Sequence, residues 1–228
     1  MKPDLSNKKL FLMDMDGTIY LDDKLLPGAR EFIERTREKG RAVFLTNNSS
    51  RGIDAYLAKM ARLGIPAGRD DFLTSVDATI YYLEENFGKG CGGMTMYVMG
   101  TESFKKQLRD AGFNVVDSLE EGIDMVVLGF DRELTYRKLE DVSRLLTENP
   151  EMPYFAANPD WVCPAEFGYV PDCGSMAEMC AGDLIGLLMV ALRSQGNWRW
   201  EGPLGTPLGL VHWKRASSPV EAGTSGFL

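Results

Sequence analysis

The chain has 228 residues, 44% of them hydrophobic, and a formal net charge of −8 with a pI near 4.8. This length suffices for one core domain, or for a core domain that carries a smaller inserted domain. The acidic charge argues against a nucleic-acid partner, since phosphate backbones bind to basic patches, and no apolar run is long enough to cross a membrane.

The first third of the chain alternates predicted strands with predicted helices. Residues 9–13 and 41–45 are short apolar runs, which are typical of buried parallel strands. A helix opens after the first run at Pro27-Gly28 and ends at Gly40. Its apolar face is predicted to comprise Ala29, Phe32, Ile33 and Thr36.

A second helix follows the second strand and is predicted to start after Ser49 or Ser50, either of which suits the capping position. The order strand, helix, strand, helix indicates a βαβ unit and therefore a parallel sheet. The right-handed crossover of such a unit places both strand carboxyl ends on one edge of the sheet, outside which ligands bind. A third helix is predicted over residues 75–87, with Ser75 as its cap.

A glycine-rich segment over residues 88–93 interrupts this pattern, and we place a domain boundary near it. The sequence thus predicts an α/β fold with a parallel-sheet core over residues 1–79, a smaller α/β domain over residues 80–180 and an atypical tail over residues 181–228. Within the smaller domain we predict strands over 94–98, 113–116, 123–128 and 153–156, and helices over 102–111 and 135–147.

Asp14 and Asp16 stand just past the first predicted strand, two residues apart. Alternate residues at a strand end point the same way, so both carboxylates are expected to face one pocket. One carboxylate is ionised at neutral pH and can attack phosphorus, while the second suits general acid–base work. Two acids beside a phosphate dianion require a cation, and Mg²⁺ prefers such oxygen ligands. Gly17 would let the backbone approach the phosphate, and Thr18 adds a hydroxyl and an amide.

An ordinary polar turn is one alternative interpretation of residues 14–17, because Asp-x-Asp-Gly alone is a weak signal. A calcium loop is another, but that pattern requires Gly and Glu at its sixth and twelfth positions, which here hold Ile19 and Leu25. The buried strand before the motif and the helix after it favour the catalytic interpretation.

The second predicted strand ends in the motif Leu-Thr-Asn-Asn-Ser over residues 45–49. Parallel packing would bring Thr46 beside Asp14 at the same sheet edge. A hydroxyl and the amides of a helix N-terminus are good phosphate ligands. Helix capping by residues 48–50 is the structural alternative, and the two roles are compatible.

Together these two motifs resemble those of the haloacid dehalogenase superfamily, and more narrowly those of its NagD-like sugar-phosphate and nitrophenyl-phosphate phosphatases with a type IIA cap. The resemblance implies a Rossmann-like core with residues 80–180 as an inserted cap of that type, which closes over the site and selects the leaving group. The supporting stretches are Pro27-Gly28-Ala29, Thr46 to Ser50, Ala157-Asn158-Pro159-Asp160 and Tyr169 to Ser175.

The resemblance also implies roles for individual residues. Asp14 would be the nucleophile and a magnesium ligand, and Asp16 the acid/base that gives magnesium its backbone carbonyl. Thr46, helped by Asn47, would hold the transferring phosphate. The implied activity is Mg²⁺-dependent hydrolysis of a small phosphorylated metabolite (a sugar phosphate, phosphoglycolate or a nitrophenyl phosphate-like ester) through an aspartyl-phosphate. Cap surfaces in this family often carry dimer contacts, so a homodimer through the cap is a further expectation.

Two loops of the second half are expected either to face the core from the cap or to be ordinary turns, since Asn-Pro and Pro-Asp form turns readily. They cover residues 158–161 and 164–175. Glu166 and Tyr169 in the second loop are candidate specificity residues.

Two later motifs of the family are missing from the sequence. Neither Gly-Lys-Pro nor Gly-Asp-x-x-x-Thr-Asp occurs after the cap: Gly182-Asp183 leads into an apolar run, and no proline follows Lys214. Without that lysine and those metal ligands, the rate should fall by several orders of magnitude. The first strand should also lie at a sheet edge with apolar surface uncovered. A catalytically dead phosphate- or magnesium-binding protein is therefore the alternative function.

The composition changes where the resemblance stops. Residues 1–182 hold 30 acidic and 21 basic residues, whereas residues 183–228 hold 3 and 4. Beyond a predicted helix over 183–192, no clear βα unit follows. Our hypothesis is a reading-frame error or a truncated gene product, and the rival is a divergent C-terminus that packs in place of the lost strands. Sequencing the encoding DNA downstream of codon 181 distinguishes them, because a frameshift requires both missing motifs in a neighbouring frame.

The four cysteines show no Cys-x-x-Cys spacing, and the N-terminus lacks the apolar stretch of a signal peptide. These features predict reduced thiols in a cytoplasmic protein. A zinc site is not expected, because His212 is the only histidine.

Overall fold

Two sheets carry the fold in this computed structural model, which describes residues 7–181 and, beyond them, the strand segments 187–189 and 213–214. The described helices are α1 (Ala29–Lys39), α2 (Ile53–Arg62), α3 (Ser75–Phe87), α4 (Glu102–Asp110), α5 (Tyr136–Glu148) and α6 (Cys173–Ala181), with 3-10 turns at Arg69–Asp71 and Lys89–Gly93. The described strands are β1 (Leu10–Asp14), β2 (Tyr20–Leu21), β3 (Lys24–Leu25), β4 (Arg41–Thr46), β5 (Phe72–Thr74), β6 (Thr95–Met99), β7 (Asn114–Val116), β8 (Ile123–Leu128), β9 (Tyr154–Ala156), β10 (Val162–Ala165), β11 (Gly168–Pro171), β12 (Leu187–Met189) and β13 (Trp213–Lys214).

The smaller sheet has the strand order β1-β4-β5, and all three strands are parallel. Asp14 pairs with Leu45 and Thr46 with Thr74, so the three strands end at the same edge. The predicted βαβ unit is thereby confirmed, with strand bounds shifted by one residue. A short hairpin, β2–β3, follows β1 and was not predicted.

Among the residues that the structure describes, β1 lies at the edge of this sheet. The absence of the two later family motifs predicted this edge position. Leu10 and Leu12 are 56% and 54% exposed. Residues two apart on a strand share one face, so these two leucines form an uncovered apolar strip.

The larger sheet has the order β13-β12-β9-β8-β6-β7, and β7, β6, β8, β9 and β12 run parallel. α3 packs on it: the ring centroids of Tyr82 and Phe155 lie 5.9 Å apart. The predicted boundary between residues 79 and 80 falls inside α3, and the three-part division stays a prediction.

Most of the predicted tail, residues 181–228, lies outside the described residues. The helix predicted over 183–192 is wrong where it can be checked, because Leu187–Met189 form a strand paired with β9. A short apolar run fits a buried helix and a buried strand equally well, so periodicity alone does not distinguish them.

Three predicted details of the helices are also wrong. Gly52 precedes α2 and offers no side-chain cap, whereas Ser49 and Ser50 are buried and bonded elsewhere. Thr74, not Ser75, caps α3. Phe32 of α1 is 57% exposed, so the buried face of that helix comprises Ala29, Ile33 and Thr36.

All four cysteines are buried free thiols. None of the helices in the described part of the chain combines the length and apolar character that a membrane crossing requires.

The capping box of α3 provides a test of this fold. Thr74 Oγ1 accepts a hydrogen bond from the amide of Asp77, and the Asp77 carboxylate accepts one from the amide of Thr74. We expect Thr74→Ala to lower the free energy of unfolding by about 1–2 kcal/mol, because a helix-terminal amide loses its acceptor. Urea denaturation measures the change. Thr147→Ala is the matched control, since the Thr147 hydroxyl bonds only within α5. Equal midpoints for the two variants would refute the assigned cap.

Candidate active site

The two predicted catalytic carboxylates meet the second strand at the shared edge of the smaller sheet. Asp14 is the last residue of β1, and its Oδ2 accepts a hydrogen bond from Thr18 Oγ1 at 2.9 Å. Asp16 Oδ2 lies 3.5 Å from Thr46 Oγ1, at the end of β4. Parallel pairing of β1 with β4 therefore brings Asp14, Asp16 and Thr46 together, as the sequence predicted.

The turn after Asp14 uses its own amides. Gly17 has φ +80°, and its amide donates to the carbonyl of Tyr20 at 2.8 Å. The amide of Thr18 donates to the carbonyl of Met15 at 3.2 Å. Both predicted phosphate donors are thus engaged within the turn. A Cβ at position 17 would also lie 3.4 Å from the Pro164 ring, so glycine fits both the backbone conformation and the close approach.

Asn47 connects β4 to a loop more than a hundred residues away. Its Nδ2 donates to Asp160 Oδ2 at 2.9 Å, and its backbone carbonyl accepts from Asn158 Nδ2 at 2.7 Å. The same carbonyl accepts from the Ser75 hydroxyl at 2.8 Å. Asn47 Oδ1 is buried and has no hydrogen-bond partner among the described residues. The loop at residues 158–161 therefore faces the core, which was one of its two predicted positions.

A cavity of about 210 Å³ collects these groups. It includes four of the six predicted site residues, and Gly17 and Thr18 do not line it. The loop after β9 and the hairpin β10–β11 close it from the other side. Its lining residues are Asp14, Asp16, Thr46, Asn47, Asn48, Asp160, Val162, Cys163, Pro164 and Asp172.

Burial raises the pKa of both catalytic carboxyls. For Asp14, the charge of Asp160 adds to the rise, while the hydrogen bond from Thr18 opposes it. For Asp16, Asp14 adds to the rise in pKa, while the nearby charges of Lys59 and Arg51 oppose it. A raised pKa favours the protonated form, which a general acid requires.

Two further acids of the cavity were missed as site residues. Burial raises the pKa of Asp160, and the hydrogen bond from Asn47 opposes that rise. Burial likewise raises the pKa of Asp172, to about 7, and the charges of Asp160 and Asp16 add to it. Both lie in segments for which one predicted position was facing the core, residues 158–161 and 164–175, but neither acid was named as a site residue because its spacing from Asp14 carries no local signal.

The donor set of this cavity suits magnesium. Asp14, Asp16 and Asp160 form no ion pair with a described basic side chain, and nearby cations, Lys59 and Arg51, act on Asp16 alone, so a divalent cation would offset the remaining carboxylate charge. Carboxylate and carbonyl oxygens are the ligands that Mg²⁺ prefers. Across residues 7–181, however, no group of three or more His, Cys, Asp or Glu is arranged to hold a metal. Asp14 and Asp16 remain the predicted ligands.

A second cavity of about 140 Å³ shares Asp16 with the first and is lined by both acidic and basic residues. Lys59 is 5% exposed, and its Nζ lies 3.5 Å from the ring centroid of Tyr20. Arg51 and Arg132 line the same space. Lys59 was not among the predicted site residues, because one lysine on an amphipathic helix normally faces solvent, whereas here it is buried in α2.

The hairpin β10–β11 covers the site and contacts the hairpin β2–β3. The amide of Glu166 donates to Asp22 Oδ2 at 2.8 Å, and its carboxylate pairs with Lys24. Tyr169 is 69% exposed. Neither of these two predicted specificity residues lines the cavities beside Asp16.

Comparison with known proteins places these observations in a family. Residues 11–114 match the family described as haloacid dehalogenase-like hydrolase. An acid sugar phosphatase of Staphylococcus aureus (strain MRSA252) is 30% identical over 172 residues, which are 75% of this chain and 63% of the relative. The chain thus spans less than two thirds of the length of that curated relative.

Solved structures are similar in the same region. A 4-nitrophenylphosphatase from Thermotoga maritima is 40% identical, with a TM-score of 0.70 over 79% of this chain and 66% of that one. A putative nagD protein is 38% identical, with a TM-score of 0.71 over 82% and 71%. A glycerol phosphate phosphatase from Mycobacterium tuberculosis, solved in complex with magnesium, is 27% identical, with a TM-score of 0.67 over 78% and 52%.

The raised pKa of Asp172 predicts a pH-dependent stability. The folded chain holds this proton up to about pH 7, whereas the unfolded chain releases it near pH ~3.9. The stabilisation is therefore complete below the unfolded pKa and is lost as pH rises toward 7. Asparagine mimics the neutral carboxyl. We expect the free energy of unfolding of Asp172→Asn, relative to the unmodified chain, to rise between these pH values by at most about 1.4 kcal/mol per pH unit.

Asp117→Asn is the control for this titration. The hydrogen bond from Lys105 lowers the pKa of Asp117, so this group is ionised in both states above about pH 5. The difference in the free energy of unfolding between Asp117→Asn and the unmodified chain should stay constant between about pH 5 and 7. Urea unfolding of the three proteins at several pH values measures both differences. An equally flat profile for Asp172→Asn would contradict a neutral Asp172.

Proposed function

Because the chain belongs to the NagD-like haloacid dehalogenase hydrolases, we propose that it is a magnesium-dependent phosphatase that hydrolyses a small phosphomonoester. The observation that carries the proposal is the meeting of Asp14, Asp16 and Thr46 in one cavity at the carboxyl edge of parallel strands. Ligands of parallel α/β sheets bind at that edge. The names of the relatives, all phosphatases where an activity is printed, support the same class.

The proposed first step is attack of an Asp14 carboxylate oxygen on phosphorus. The new O–P bond forms as the ester P–O bond breaks, and Asp16 gives its proton to the leaving oxygen. Water then attacks the aspartyl-phosphate, Asp16 takes up the proton, and Asp14 is released with inorganic phosphate. Burial supports the acid role of Asp16 by favouring its protonated form. The Thr18 hydroxyl supports the ionised Asp14.

Magnesium would be held by Asp14 and by Asp16, and when bound it supplies positive charge against the phosphate oxygens and the nucleophile. The Thr46 hydroxyl and the Asn47 amide are proposed to orient the phosphate. At present Asn47 Nδ2 donates to Asp160, so phosphate contact requires that this amide exchange or share its acceptor.

Residues 80–180 are proposed to act as the cap. Support comes from the contacts of the hairpin β10–β11 with the core: Pro164 lies against Gly17, and Glu166 contacts Asp22 and Lys24. The same hairpin lines the cavity that holds Asp14 and Asp16, through Val162, Cys163 and Pro164, which supports a role for this segment in enclosing the substrate.

A second candidate function is phosphate or magnesium binding without turnover. The observation that favours it is the absence of Gly-Lys-Pro and Gly-Asp-x-x-x-Thr-Asp from the sequence. Electrostatic stabilisation dominates phosphoryl transfer, so a chain without those charges should turn over slowly.

Hydrolysis of p-nitrophenyl phosphate separates the two functions. With Mg²⁺ we expect turnover that Asp14→Asn lowers by at least about a thousandfold, because removing a nucleophile costs that much or more. Removing Mg²⁺ with a chelator should have a comparable effect. Asp110→Asn, an exposed acid of α4 paired with Lys106, is the matched control and should retain full activity. If the unmodified chain is no faster than Asp14→Asn, the enzyme proposal fails and the binding protein is favoured.

A further inference from the structure

The second cavity beside Asp16 is placed to receive the leaving group. It shares Asp16, Asn48, Cys163 and Pro164 with the larger cavity, but Asp14 does not line it. In the proposed reaction, Asp14 attacks phosphorus and Asp16 protonates the oxygen that departs. The departing group must therefore lie beside Asp16, which lines this second cavity. This step depends on the proposed function.

Three cationic side chains line this second cavity, and none forms an ion pair or a side-chain hydrogen bond with a described residue. They are Lys59, Arg51 and Arg132. Three acids line the cavity as well: Asp22 accepts a hydrogen bond from the amide of Glu166, Asp23 lies 3.6 Å from Arg62, and the charges of Lys59 and Arg51 act on Asp16 without a direct ion pair. The cavity thus contains three cations that have no direct ion-pair partner among the described residues.

Lys59 makes the strongest case for a bound anion. The residue is only 5% exposed, and its ammonium lies over the ring face of Tyr20. A buried ammonium is unfavourable unless opposite charge or a ring face compensates it, and the charges of Asp16, Asp23 and Asp22 do so without a direct ion pair. Because Lys59 lines the cavity, an anion there would provide a direct ion-pair partner.

The size of the cavity limits that anion. About 140 Å³ corresponds to roughly five water molecules at ~30 Å³ each. A carboxylate or a phosphate on a short carbon chain fits this space. Phe130 and Val170 supply an apolar wall for the carbon chain.

We propose that the substrate is a small phosphomonoester whose leaving group carries a second anionic group, which binds between Lys59, Arg51 and Arg132. Arg51 and Lys59 come from the core and Arg132 from the cap segment, so the anion bridges the two. Binding there sets the leaving oxygen beside Asp16. Carboxylate and phosphate satisfy the same cations, and the substrates below distinguish them.

The test compares matched esters. 3-Phosphonooxypropanoate differs from its amide mainly in the charge of the leaving group. Propane-1,3-diyl bisphosphate carries a second phosphate in place of a terminal hydrogen of propyl phosphate, and its kcat/KM is halved before comparison because either of its two esters can react. We expect kcat/KM with Mg²⁺ to favour the anionic member of at least one pair by about tenfold or more, because a desolvated charge pair is strong. The pair with the larger ratio identifies the anion. Ratios near one for both pairs would overturn the proposal.

Variants of the lining residues test whether this cavity causes the preference for the anionic ester. Arg132 is exposed, so Arg132→Gln should fold normally, and we expect it to reduce the ratio at least about threefold through KM. Arg144→Gln, an exposed arginine on α5, is the matched control and should keep the ratio. Lys59→Met should lower the kcat/KM ratio of the anionic to the neutral ester further than Arg132→Gln does. An unchanged ratio in Arg132→Gln and Lys59→Met would refute the assignment even with full phosphatase activity.

Failure of the proposed function is separable from failure of this inference. Turnover of p-nitrophenyl phosphate tests the proposed phosphatase function, whatever the kcat/KM ratios of the ester pairs are. If no ester is hydrolysed, the shift in melting temperature caused by each ester tests the inferred anion site. The anionic member should stabilise the unmodified chain more than its neutral analogue, and Arg132→Gln should remove the difference. Equal shifts from both members would overturn the inference.

Discussion

The backbone carbonyl of Asn47 accepts two side-chain hydrogen bonds at the point where the smaller sheet meets the rest of the chain. One comes from Ser75, at the start of α3, and the other from Asn158, in the loop after β9. The Asn47 side chain adds a third bond, to Asp160. Because β4 ends beside β1, whatever fixes Asn47 also fixes Thr46 relative to Asp14. The geometry of the candidate site thus depends on Asn47. Its backbone carbonyl and its side chain together connect the smaller sheet to α3 and to the loop after β9.

Electrostatics set the second constraint. Burial raises the pKa values of Asp14, Asp16, Asp160 and Asp172, so the larger cavity concentrates carboxyl groups that favour their neutral forms. The cations lie instead in the second cavity that Asp16 lines, with Lys59 buried among them. Asp16 is therefore shared by an acid-rich cavity, which suits a magnesium-bound phosphate, and a cavity with three cations, which suits an anionic leaving group. The two proposed roles of the site, phosphate binding and leaving-group binding, thus have separate cavities.

The sequence predicted the parts of this arrangement that local patterns encode. Apolar runs located β1 and β4, and the position of Asp14 and Asp16 just beyond a strand indicated their shared pocket, because strand ends and periodicity are short-range properties. Asp172 and Lys59 could not be assigned in this way. Asp172 joins the site only through the path of the hairpin β10–β11, and Lys59 looked like one polar residue on an amphipathic helix. The helix caps were misjudged for a related reason: Ser49 and Ser75 are suitable cap residues locally, but tertiary partners occupy their hydroxyls.

The hydrogen bond between Asn47 and Asp160 joins residues 113 positions apart, and the one between Glu166 and Asp22 joins residues 144 positions apart. Closing loops of that length has an entropic cost, and contacts between distant residues form late in folding. The βαβ unit that carries Asp14 and Thr46 has much shorter connections and can assemble early. During synthesis, the nucleophile and its neighbours on β4 would thus be in place well before the loop that encloses them. Secondary structure would then be recovered on refolding sooner than the enclosed site.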